Sequence, residues 1–122
     1  MQRKRLRILF VDDDEDTCFL IRTLLGPSGY EVVTAKSVGA ALLLAERERF
    51  DLFVIDNRFP DGKGTDLCRK LCHIAPAIPT IFLSGDASAE DRHKALEAGA
   101  KDYLIKPGGV LEITDVVRAI LC

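Results

Sequence analysis

The chain has 122 residues, about one domain's length, with 48% hydrophobic and 30% charged residues; that balance supports one buried core and argues against disorder. No apolar run approaches the ~18 residues of a membrane span, and the run after the basic start Arg3-Lys4-Arg5-Leu6-Arg7 ends at Val11, too short for a secretory signal. With 17 basic and 19 acidic residues the net charge is −2, which removes the general electrostatic case for nucleic-acid binding.

Leu6 to Val11 (LRILFV) is a continuous apolar run, the pattern of a strand buried on both faces. Cys18, Ile21, Leu24 and Leu25 recur at helical spacing, and Gly26-Pro27 stops that helix. Tyr30 to Thr34 (YEVVT) is a short β-branched strand. Ser37 caps a second helix carrying Val38, Ala41, Leu42 and Ala45 on one face, which Leu43 and Leu44 widen. Asp51 to Ile55 (DLFVI) reads as a third buried strand, and the segment from Asn57 to Gly64 is a loop rich in turn formers.

Leu67, Leu71 and Ile74 mark a third helix. Pro79 to Leu83 (PTIFL) is a fourth strand with proline where a strand tolerates it. Ser88 and Asp91 form a capping box for a fourth helix, which Gly99 ends. Asp102 to Ile105 (DYLI) is a fifth strand, and Ile113, Val116, Val117 and Ile120 define a final helix. Apolar strands alternating with helices predict one α/β domain over residues 1–122, a parallel sheet covered on both faces by right-handed crossovers.

Nothing in the sequence signals secretion, so Cys18, Cys68, Cys72 and Cys122 are expected as reduced thiols of a cytoplasmic protein. Cys68, Cys72 and His73 lack zinc-finger spacing and a second ligand pair, and read better as part of a helix face.

Five acids stand in a row, Asp12, Asp13, Asp14, Glu15 and Asp16. The last three suit the first turn of a helix through its dipole, whereas Asp12 and Asp13 precede that turn. Ligand sites in open α/β sheets form outside the carboxyl ends of the strands. The residues just after the five predicted strands include Asp12 and Asp13, then Asp56, then Ser84 and Gly85, then Lys106 and Pro107. Two carboxylates ~4 Å apart repel by about 4 kcal/mol at an effective dielectric of ~20, so three converging acids need compensation from Lys106 and from a divalent cation. All-oxygen ligands suit Mg²⁺, and carboxylates, a cation, a lysine and a hydroxyl make a site for phosphoryl chemistry with an aspartate as nucleophile.

The stretches ILFVDD, DLFVIDNRFPDGKG, PTIFLSG and AGAKDYLIKP, in that order, resemble the receiver (CheY-like) domain of bacterial two-component response regulators over essentially the whole chain. The resemblance implies a flavodoxin-like sheet of five strands in the order 2-1-3-4-5. It implies that Asp56 is the phosphoacceptor and that Asp12 and Asp13 hold Mg²⁺ (or Mn²⁺), Asp13 more directly, with the backbone carbonyl of Arg58 as a further ligand. Ser84 is then the hydroxyl that swings toward the phosphoryl group, Tyr103 the aromatic switch that turns inward afterwards, and Lys106 the phosphate-contacting lysine. Lys106–Pro107 becomes a candidate cis peptide.

Two features depart from the common pattern. Arg58 is a long cation able to reach over the site to Asp86, a pair expected to modulate phosphoryl lifetime or water access. Gly108-Gly109 stands where an aromatic is common and is expected to loosen the entry to the last helix.

The expected function is a signalling switch that assists its own phosphorylation and dephosphorylation, not a turnover enzyme. Its implied partners are a histidine kinase or histidine phosphotransfer protein and a downstream effector bound through the fourth helix, fifth strand and last helix. A homodimer through that face is compatible with the sequence, with no direct nucleic-acid or membrane partner. The resemblance leaves open a stand-alone receiver or one cut from a longer protein. A haloacid dehalogenase-type phosphohydrolase would need a second aspartate where Arg58 stands. A degenerate, partner-binding receiver fits poorly with competent residue types at all five site positions. Nucleic-acid binding would rest on Arg3, Lys4, Arg5 and Arg7 alone.

Overall fold

The computed structural model describes residues 5–122; Arg3 and Lys4 of the basic leader lie outside them. The elements in chain order are β1 (Leu6–Val11), α1 (Glu15–Leu25), a 3₁₀ turn (Gly26–Ser28), β2 (Tyr30–Ala35), α2 (Val38–Arg47), β3 (Leu52–Ile55), β4 (Arg58–Phe59), β5 (Gly62–Lys63), α3 (Gly64–Ile74), β6 (Thr80–Ser84), α4 (Ala89–Glu97), β7 (Asp102–Ile105) and α5 (Gly108–Leu121). The five long strands pair in parallel in the order β2-β1-β3-β6-β7, which is the expected 2-1-3-4-5 sheet with β6 and β7 as its fourth and fifth members.

Alternation along the strands divides the core between the two faces. Leu9, Val11, Phe53, Ile55 and Phe82 pack beneath α2, α3 and α4; Ile8, Phe10, Leu52, Val54, Ile81 and Leu83 pack beneath α1 and α5. α4 is the least anchored helix, with Ala95 its one buried residue.

Helix entries follow the side-chain chemistry. Asp14 caps α1, its carboxylate accepting from the Thr17 N–H at 3.1 Å, which leaves Glu15 and Asp16 in the first turn. Ser37 caps α2 and Ser88 caps α4.

The structure departs from the sequence reading in the loop after β3. A small antiparallel ribbon, β4–β5, pairs Arg58 with Lys63 and Phe59 with Gly62. Asp61, at its turn, reaches α2 and accepts from the Val38 and Gly39 N–H groups at 2.9 and 3.0 Å, so the ribbon and α2 are tied together. Asp51 stands just outside β3 because its carboxylate takes the Arg7 N–H, at 2.7 Å. At α5, Gly109 is where the helix packs closely on the sheet: a Cβ there would lie 2.8 Å from Leu104 Cβ and 3.1 Å from Leu83 Cδ1.

Candidate functional site

β1, β3, β6 and β7 end on the same edge of the sheet and present Asp12, Asp56, Ser84 and Lys106 there. The main chain holds these positions directly. The Asp12 N–H donates to the Ala35 carbonyl at 3.0 Å, the Asp56 N–H to that of Val11 at 3.0 Å, and the Lys106 N–H to that of Ser84 at 2.8 Å. The Lys106–Pro107 peptide is cis.

Carboxylate oxygens of Asp12, Asp13 and Asp56 lie within 4.8 Å of one another, and among the described residues no other group of three or more His, Cys, Asp or Glu side chains converges in this way. Asp12 is buried and Asp13 is exposed, with Asp56 between them. Lys106 Nζ donates to Asp12 Oδ2 at 2.7 Å and to Asp56 Oδ2 at 3.2 Å. The other oxygens take backbone donors, Asp12 Oδ1 from the Asp14 N–H at 2.9 Å and Asp56 Oδ1 from the Asn57 N–H at 2.6 Å.

The electrostatics follow from burial. Desolvation pushes the Asp12 carboxyl above its ordinary range, against the hydrogen bond from Lys106. Desolvation also opposes the Lys106 ammonium, yet the bond to Asp12 and the charge of Asp56 outweigh it and raise that group. One ammonium offsets one of three carboxylates. The remaining negative charge and the hard oxygen donors fit a divalent cation such as Mg²⁺.

Ser84 is buried, and its Oγ accepts from the Asp86 N–H at 3.2 Å. Tyr103 points inward and is 3% exposed; its ring stacks on Phe82 with centroids 5.5 Å apart, and its hydroxyl donates to the Asp86 carbonyl at 2.7 Å. Burial raises the Tyr103 phenol, partly offset by a hydrogen bond with Ser84. Arg58 Nε lies 3.0 Å from Asp86 Oδ2, with the arginine side chain largely in solvent.

Two further residues of the site read in the sequence only as parts of a loop. Asn57 is buried, and its Nδ2 donates to the same Asp86 oxygen at 3.1 Å. Gly64 donates to the Asn57 carbonyl at 2.7 Å, and a Cβ on it would sit 2.1 Å from the Asp56 carbonyl oxygen. An asparagine beside turn formers and a glycine at a helix start carry no sequence signal that separates them from ordinary loop residues. Cys68 and Cys72 remain outside this cluster: Cys68 is buried with its thiol on the Ala98 carbonyl, and Cys72 is half-buried.

A family model described as the response regulator receiver domain matches residues 8–118. The alkaline phosphatase synthesis transcriptional regulatory protein PhoP of Bacillus subtilis is 37% identical over 94% of this chain and 48% of its own length. The transcriptional regulatory protein PrrA of Mycobacterium tuberculosis is 38% identical over 94% of this chain and 49% of its own. The chain thus spans about half the length of the curated relatives it matches. Among solved structures, a CheY-like response regulator receiver domain protein from Methanospirillum hungatei superposes with a TM-score of 0.92 at 34% identity, covering 97% of this chain and 94% of that one. A response regulator from Burkholderia pseudomallei, solved with a phosphorylated aspartic acid, a calcium ion and citrate, superposes with a TM-score of 0.85 at 29% identity, covering 96% of this chain and 66% of that one.

Proposed function

The chain belongs to the response regulator receiver domain family, and from that premise we propose that it is a phosphoacceptor switch whose Asp56 takes a phosphoryl group from a phosphohistidine of a sensor kinase or phosphotransfer protein. The observation that carries this reading is Lys106 bridging Asp12 and Asp56 at the edge where Asp13 and Ser84 also converge.

In the transfer, an Asp56 carboxylate oxygen attacks phosphorus, the phosphohistidine N–P bond breaks with its electron pair returning to the imidazole, and an acyl phosphate forms. The Lys106 ammonium offsets charge on the phosphoryl oxygens, and the Ser84 hydroxyl turns to donate to one of them. Asp12, Asp13 and Asp56 are the residues to hold Mg²⁺ or Mn²⁺, with the Arg58 carbonyl as a further ligand; bound there, the ion supplies the remaining positive charge. Arg58 and Asp86 lie across the acceptor loop and tune water access, hence phosphoryl lifetime. Water attack on the same acyl phosphate resets the switch, which makes the chain an assistant to its own dephosphorylation and not a turnover enzyme.

Phosphorylation shifts a two-state equilibrium read out at α4, β7 and α5. Each of these elements exposes one large apolar side chain, Leu96, Ile105 and Leu111. That supports a protein partner, an effector or a second copy, and the near-neutral charge supports no direct nucleic-acid contact by this chain. No helix among the described residues is long and apolar enough to cross a membrane. The four free cysteines accord with a cytoplasmic setting.

The reading is tested by adding beryllofluoride, a phosphoryl mimic, with and without Mg²⁺, and following backbone amide resonances. Mg²⁺-dependent shifts at Ser84, Tyr103 and Lys106 that vanish in Asp56→Asn are expected. Shifts that ignore Mg²⁺ or persist in Asp56→Asn contradict it.

A further inference from the structure

Asp86 touches three parts of the site at once. Its carboxylate Oδ2 accepts from Arg58 Nε at 3.0 Å and from Asn57 Nδ2 at 3.1 Å, the two residues that follow Asp56. Its N–H donates to Ser84 Oγ at 3.2 Å. Its carbonyl oxygen accepts the Tyr103 hydroxyl at 2.7 Å. The loop 85–88 therefore takes its position from the acceptor loop on one side and gives Tyr103 its buried partner on the other. A buried phenol needs such a partner, because an unpaired hydroxyl in the core is costly.

We propose that Asp86 is a latch that holds Tyr103 inward before any phosphoryl group arrives, by tying the loop 85–88 to Arg58 and Asn57. The proposal rests on the receiver reading above and adds a regulation of that site: the aromatic-in arrangement is already populated in the unphosphorylated chain. Phosphorylation can then recruit only the population that the latch leaves outward, however strongly it favours the inward state. The two ties differ in strength. Arg58 is 78% exposed in its side chain, so its ion pair is screened. The Asn57 bond is shielded, because that residue is 8% exposed. Asp86 is a positioning residue, acting on the switch through its own backbone carbonyl.

The chain has two tyrosines and no tryptophan, which allows a direct readout. Uniform 3-fluorotyrosine labelling gives one ¹⁹F line for Tyr103, assigned by its loss in Tyr103→Phe, and one for Tyr30. Tyr30 is buried in the core cluster on the other face of the sheet and reports whether each variant stays folded. Solvent exposure is read from the H₂O/D₂O isotope shift, with no phosphodonor present. In the unmodified chain the Tyr103 line is expected to be shielded. Arg58→Ala should lower the inward-to-outward ratio about two- to fivefold, as suits an exposed ion pair. Asp86→Ala should lower it further, and Asp86→Asn, which keeps one acceptor oxygen, should fall between. Tyr103 exposed in the unmodified chain, or equally shielded in all three variants, overturns the latch. These spectra need no phosphorylation, so failure of the chain to accept a phosphoryl group would count against the receiver reading and leave the latch result standing by itself.

Discussion

Lys106 Nζ lies 2.7 Å from Asp12 Oδ2, joining residues 94 positions apart across the ends of β7 and β1. Asp12 is 1% exposed, and this ammonium, together with the Asp14 N–H, opposes the desolvation that disfavours its charged form. Removing one partner of a fully buried pair costs about 3–5 kcal/mol; the Lys106 side chain is 23% exposed, which brings the expectation for Lys106→Met down to about 1–3 kcal/mol. The same change leaves the acids uncompensated, so Mg²⁺ should bind about tenfold tighter. Urea unfolding with and without Mg²⁺ checks both: the variant should lose stability without the ion and recover more than the parent with it. An equal Mg²⁺ gain in both proteins would contradict the account.

Gly64 sets the acceptor loop by close approach. A Cβ there would meet the Asp56 carbonyl oxygen at 2.1 Å, Asn57 Cα at 2.8 Å and Phe82 Cε2 at 2.9 Å, two of them backbone atoms. Gly64→Ala should cost at least about 1–3 kcal/mol through overpacking and should slow phosphoryl uptake, because the loop carrying Asp56 must shift. Gly85→Ala is the control: nothing lies within 4 Å of its Cβ position, and a change within about 0.5 kcal/mol is expected. Thermal or urea unfolding of the two variants decides.

Asp61 makes α2 sensitive to acid. Hydrogen bonds from the Gly39 and then the Val38 backbone N–H hold its carboxyl below the ordinary range. A carboxyl depressed in the folded state stabilises above its unfolded pKa, and that contribution is lost as pH falls through the lower folded value. Asp61→Asn should therefore flatten the stability profile on the acid side of about pH 4 while leaving the slope near neutral unchanged. An identical acid limb in both proteins would remove Asp61 from the account.

The four thiols should separate by reactivity. Burial pushes the Cys18 thiol up to about 11 and the Cys68 thiol up to about 12, whereas Cys122 is exposed and Cys72 half-buried. Alkylation at pH 8 followed by peptide mass mapping should label Cys122 first and Cys72 next, and Cys18 and Cys68 only after unfolding. Rapid labelling of Cys68 in the native chain would show that α3 does not pack as described.

The sheet was legible because a parallel strand buried on both faces is a nearly continuous apolar run. LRILFV, LFVI and TIFLS stand out against the amphipathic helices for that reason. The strand-end rule places Asp12, Asp56, Ser84 and Lys106 on one edge from the sequence alone. Other features depend on approach between distant segments and leave no periodic trace. The β4–β5 ribbon has two residues per strand, too few for alternation to register. The tight seats of Gly64 and Gly109 come from neighbours on other elements. Asn57 gains its meaning only when Asp86, 29 positions on, meets it. The inward setting of Tyr103 is a rotamer choice, made by the loop 85–88 and Phe82.

The central claim is that Asp56 accepts a phosphoryl group. It is tested most directly by incubating the chain with a small phosphodonor such as acetyl phosphate and Mg²⁺ and reading the intact mass. The account predicts the gain of one phosphoryl group, abolished by chelating Mg²⁺ and absent in Asp56→Asn. A folded parent chain that gains nothing, or an Asp56→Asn variant that gains the same mass, would contradict it.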